Sequence, residues 1–142
     1  MFVLAARNEL SYNIMQYVHI GAMFVAFAFT FAGAKGANSV TGGSKLRKVY
    51  GPALAVGGLA GFGVAGMSEK VFRMSQPWLS VAALLWFIAL GLVLALIAPA
   101  QDKVAEGDEG ATKIVAAGTG GLHLILAVSL FLMIWKPGGP SL

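Results

Sequence analysis

Four stretches of this chain contain no Asp, Glu, Lys or Arg: Tyr12 to Gly33, Tyr50 to Met67, Trp78 to Ala98, and Ile114 to Trp135. Polar and charged residues collect between them. Each run is about 18–22 residues, enough at ~1.5 Å per residue to cross a hydrocarbon core of roughly 30 Å. Backbone amides in lipid must bond within their own segment, so each run is predicted to be a helix. The pattern predicts an all-α integral membrane protein with spans at 13–33, 50–67, 78–98 and 114–135. Short connections make these a four-helix up-down bundle, with 1–142 forming one domain because no loop is long enough to fold alone.

Composition agrees. Hydrophobic residues make up 58% of the chain and charged residues 11%, against about 25% charged in a soluble domain. The net charge of +4 does not indicate nucleic-acid binding, because its distribution follows the spans. Lys35, Lys45, Arg47, Lys48, Lys103 and Lys113 fall in segments 34–49 and 99–113, on one side of the predicted bundle. Arg7, Lys70, Arg73 and Lys136 fall on the other. By the excess of basic residues in cytoplasmic loops, this favours both termini outside the cytoplasm. A bacterial inner membrane is the expected location and the lipid bilayer the first partner. The chain has no cysteine, which removes thiolate and disulfide chemistry.

The segments between spans refine the picture. Met1 to Ala6 is apolar but too short for a signal peptide, with no basic stretch before it. It is expected to lie along the membrane surface and turn in near Asn13. Segment 34–49 is rich in Gly and Ser and reads as a flexible loop. The second span carries Gly51, Gly57, Gly58, Gly61, Gly63 and Gly66, and its Gly57-x-x-x-Gly61 spacing lets another helix approach closely. A helix so poor in side-chain volume belongs at the centre of the bundle. Trp78 and Trp135 mark membrane interfaces. Pro99 closes the third span. Asp102, Glu106, Asp108 and Glu109 make a solvated turn in loop 100–113, and the tail Gly138 to Leu142 is expected to be disordered.

Ionisable groups inside a membrane are costly and mark sites. The spans hold two that titrate near neutral pH, His19 and His123. Counting residues from the span ends puts them at depths of roughly 9 and 16 Å from one side. They converge on one site only if the first and last helices are neighbours. Gly21 follows His19, and Gly118, Gly120 and Gly121 precede His123, leaving room for a flat ligand such as a b-type haem with both imidazoles as axial ligands. Met15, His19 and Met23 also share one face of the first helix at i, i+4 and i+8. Thioether and imidazole suit Cu(I), so the stripe is a copper-site alternative. The plainer account is that methionines fill gaps and glycines pack helices. A third possibility is an accessory subunit, docked through its glycine-rich helix in a homo-oligomer or larger membrane complex. The acids lie in loops, so no Ser/His/Asp set is available. The glycines at 57–66 lack the flanking strand of a nucleotide-binding turn.

Tyr17-Val18-His19-Ile20-Gly21 in the first span, Trp78 and Pro99 bounding the third, and His123 followed by Leu132-Met133-Ile134-Trp135-Lys136-Pro137 together resemble the DUF2269-type bacterial membrane proteins, relatives of the copper-resistance protein CopD. The resemblance covers most of the chain and implies a four-helix bundle whose histidines matter. The chain is also similar, in size and in His19, to the HemJ type of protoporphyrinogen oxidase. It departs from that family in having no lysine between Trp78 and Ala98, which argues against porphyrinogen oxidation.

Overall fold

A computed structural model describes residues 2–36, 43–68 and 71–139, with side chains of the first helix described over 9–28. Four helices account for nearly all of it. Helix α1 spans Phe2–Gly36, α2 Leu46–Met67, α3 Pro77–Ala105 and α4 Glu109–Trp135. No strand occurs among the described residues. Three of these helices, α2, α3 and α4, are long and apolar enough to cross a membrane. The predicted span 13–33 lies inside α1 and runs past the residues whose side chains are described.

Several boundaries differ from the sequence expectation, for local reasons. Helix α1 does not turn near Asn13. It is continuous, since no Gly or Pro interrupts Phe2 to Ile20. Helix α3 does not stop at Pro99 but runs on to Ala105. Proline has no N–H and its ring crowds the carbonyl four residues back. Here a π-helical turn, Leu92–Ile97, precedes the proline, and the Ala98 amide reaches back five residues to the Val93 carbonyl. The wider turn absorbs the clash, so the helix survives. Pro52 is handled the same way. The π turn Leu46–Tyr50 precedes it, with the Gly51 amide bonded to the Leu46 carbonyl, so α2 starts before Tyr50. The predicted loop 99–113 therefore shrinks to Glu106–Asp108. Gly107 takes the left-handed conformation there, with φ of 95°. The Asp108 carboxylate caps α4 by accepting from the Gly110 and Ala111 amides at 2.9 and 3.3 Å.

Helix α2 lies between α1 and α3, and its glycines show why. On one side Gly57 faces Met23 and Ala22, Gly61 faces His19, and Gly63 faces Met15. On another side Gly58 lies under the Trp86 indole and Gly51 against Leu94. The Trp86 Nε1–H donates to the Leu54 carbonyl at 2.7 Å. Helix α4 packs on α3, with Gly118 against Ile97, Gly121 against Leu92, and Leu132 clustered with Trp78 and Leu79. The interior is built mostly from small or medium side chains, Ala26, Leu54, Ala89, Val93, Val115 and Leu122 among them, with Tyr50 and Trp78 as its large buried members. Large apolar side chains cover the outside instead. Tyr17 is 76% exposed and Phe24 70%.

Both ends are tied. At one, Asp102 holds Arg47 at 2.6 Å and accepts the Gly43 amide at 2.8 Å. Gly43 leads directly into helix at Ser44 and Lys45, so this part of the predicted flexible loop is anchored; residues 37–42 lie outside the described residues. At the other end, Gly138 and Gly139 are not disordered. The Gly139 amide closes a turn on the Lys136 carbonyl at 2.8 Å, and the two glycines pack against Pro77 and Trp78. The Lys136 ammonium sits 5.0 Å above the Phe72 ring centroid, a cation–π contact. Residues 140–142 lie outside the described residues.

Candidate functional site

The Met15–His19–Met23 stripe is the surface on which α1 meets α2. The i, i+4, i+8 spacing does put the three side chains on one face, and that face is filled by Gly63, Gly61 and Gly57 in turn. Side chains of one helix occupy the hollows that missing Cβ atoms leave in the other, the close approach that a small-xxx-small spacing permits. The two thioethers lie within this seam. Apart from Gly66, which faces open space, the α2 glycines receive neighbours within the chain.

His19 does more than fill a hollow. It is half-buried, and its Nδ1 lies 2.6 Å from the Gly57 carbonyl oxygen. With Trp86 on Leu54, two carbonyls of α2 one turn apart accept a second hydrogen bond from neighbouring helices. Such bonds between helices in lipid are each worth about 0.6–2 kcal/mol. Sequence reasoning missed both acceptors, although Trp86 carried a signal. Trp135 sits exposed at a span end, where water can satisfy an indole N–H, and Trp78 at another span end donates to the Gln76 side-chain oxygen at 3.1 Å. Trp86 sits mid-span and needs a protein acceptor.

His123, also half-buried, projects from α4. The structure meets the sequence condition for a shared site in one respect: α1 and α4 touch. The relative depths follow from side-chain contacts. His19 faces Gly61, three residues beyond Gly58, which faces Trp86; Trp86 is six residues before Leu92, which faces Gly121. Rising residue numbers in one helix pair with falling numbers in the next. This sets His19 level with Leu130, roughly 10 Å along the bundle from His123 at ~1.5 Å per residue. The predicted space beside the histidines is partly taken. Ile97 and Leu92 fill the hollows at Gly118 and Gly121, while Gly21 and Gly120 face open space. No group of three or more His, Cys, Asp or Glu side chains comes together among the described residues.

The arrangement offers two imidazoles from touching helices, one of them pinned by a backbone carbonyl. Comparison with known proteins adds no relative: no family model, no curated protein and no solved structure matches this chain.

Proposed function

We propose that this is a bacterial inner-membrane protein, a four-span up-down bundle that binds b-type haem with His19 and His123 as axial ligands. The outward Tyr17, Phe24, Leu59, Leu84, Leu124 and Ile134 support immersion in lipid, since so much exposed apolar surface is unfavourable in water. The paired contacts of successive helices support the up-down arrangement.

The observation that carries the haem reading is the His19–Gly57 hydrogen bond. A ligating histidine characteristically donates its other ring N–H to a carbonyl or carboxylate, which fixes the ring and raises the basicity of the ligating nitrogen. His19 has this partner inside a membrane helix, where an imidazole carries a desolvation cost. The contact of α1 with α4 puts the two helices that carry the histidines next to each other. The offset of about 10 Å between the two levels means that the side chains must lean toward one another along the bundle. Haem would supply one-electron redox chemistry; the chain supplies ligands, a dry interior and orientation.

The test is the absorption spectrum of detergent-purified protein before and after dithionite, for the parent chain, His19→Ala and His123→Ala. The expected result is a Soret band with sharp reduced α and β bands in the parent. Those bands disappear in His19→Ala and are lost or broadened in His123→Ala. Parent protein that stays colourless despite adequate haem supply refutes the reading.

A further inference from the structure

We infer that Gly57 and Gly61 of α2 form a seat that fixes His19 as its Nδ1–H tautomer and keeps Nε2 as the electron-pair donor. A carbonyl oxygen can only accept. The imidazole nitrogen 2.6 Å from the Gly57 carbonyl must therefore carry the proton, and in a neutral ring the other nitrogen is then bare. Gly61 sets how deeply the ring sits. A Cβ there would lie 3.0 Å from both Cε1 and Nδ1 of His19, so the Nδ1–Cε1 edge rests against the bare backbone of α2. Any side chain at Gly61 pushes that edge away from the Gly57 carbonyl. Gly61 is thus a positioning residue: it touches no ligand and acts by letting the ring reach its acceptor. The seat deepens the haem reading by naming Nε2 as the ligating atom and the residue that orients it, but the tautomer is a property of the protein alone.

The experiment uses full-length protein in lipid with ¹⁵N-labelled histidine, the His19 signals being assigned by their absence in His19→Gln. The parent is expected to show His19 with a protonated Nδ1 and a bare Nε2. Gly61→Ala is expected to lose that signature, and Gly66→Ala, whose new methyl meets nothing within 4 Å, to keep it. In a parallel hemin titration Gly61→Ala should bind about 10–100-fold more weakly than the parent, the usual cost of losing an outer-shell partner. A parent His19 protonated on Nε2 overturns the seat, even if Gly61→Ala cannot be recovered folded. So does an unchanged Nδ1–H signal in Gly61→Ala. Absence of hemin binding in every protein, with the tautomer as expected, refutes the haem reading and leaves the seat standing.

Discussion

At the scale of single residues, the bundle depends on what is missing from α2. A Cβ at Gly58 would lie 1.9 Å from the Trp86 ring, whereas at Gly66 it would meet nothing. Both positions are helical, so the intrinsic gain from glycine to alanine is similar at each, roughly 0.5–1 kcal/mol. Only the packing differs. Gly58→Ala must drive the indole away and break its bond to the Leu54 carbonyl, costing about 1–3 kcal/mol through overpacking, with a further ~1 kcal/mol for the hydrogen bond. Gly66→Ala should be neutral or stabilising. Unfolding of the two variants in mixed detergent, followed by tryptophan fluorescence, checks this. Equal midpoints would contradict the account.

The same residues show what was readable from the chain. The shared face of Met15, His19 and Met23 follows from helical spacing. What that face meets does not, because apolar periodicity is silent when lipid and protein are equally apolar. A glycine-rich helix was expected at the centre, and Gly57 and Gly61 do receive a neighbour. That Gly58, one residue on, receives a different helix required knowing where Trp86 falls. Counting residues predicts an offset between the histidines, while the contact between the helices that carry them, α1 and α4, is not legible in the chain.

At the scale of elements, the two π turns stand out as the feature that sequence reading took for helix ends. Pro99 carries the standard signal of a stop, and only the preceding turn shows that it is accommodated. The same turn sets the azimuth of everything after it. One residue of helical register is about 100°, so restoring an α-helical turn would swing Asp102 away from Arg47. Pro99→Ala removes the cause. Cysteines placed at 47 and 102 should join through a short bifunctional reagent in the otherwise native chain and fail to do so when Pro99→Ala is added. Unimpaired cross-linking in the Pro99→Ala background would show that the π turn has some other origin. The Asp102–Arg47 pair is itself partly exposed, with the two side chains 36% and 45% accessible. Solvent screening leaves it little weight in stability. Its geometry, rather than its energy, reports the register.

At the scale of the whole molecule, the proposal makes a topological claim. The end holding Lys45, Arg47, Lys48, Lys103 and Lys113 should face the cytoplasm, and the end holding Arg73, Trp78 and Lys136 the opposite side. The chain has no native cysteine, so single cysteines can be introduced without background. Cysteine at Ser75 should react with a membrane-impermeant maleimide on intact cells. Cysteine at Glu106 should react only after permeabilisation. The reverse pattern would invert the orientation and leave the bundle intact. Labelling of both sites from outside would contradict a crossing by α3.

The central claim is that this lipid-facing bundle holds a redox cofactor on His19. It is tested most directly by measuring haem and polypeptide together in the purified wild-type protein, as a reduced-minus-oxidised spectrum with iron quantified per chain. One haem per chain is expected, with the sharp reduced bands of six-coordinate iron. Protein that is folded, embedded and free of haem after hemin is supplied would contradict it, and His19 would then be a hydrogen-bonded clamp between α1 and α2.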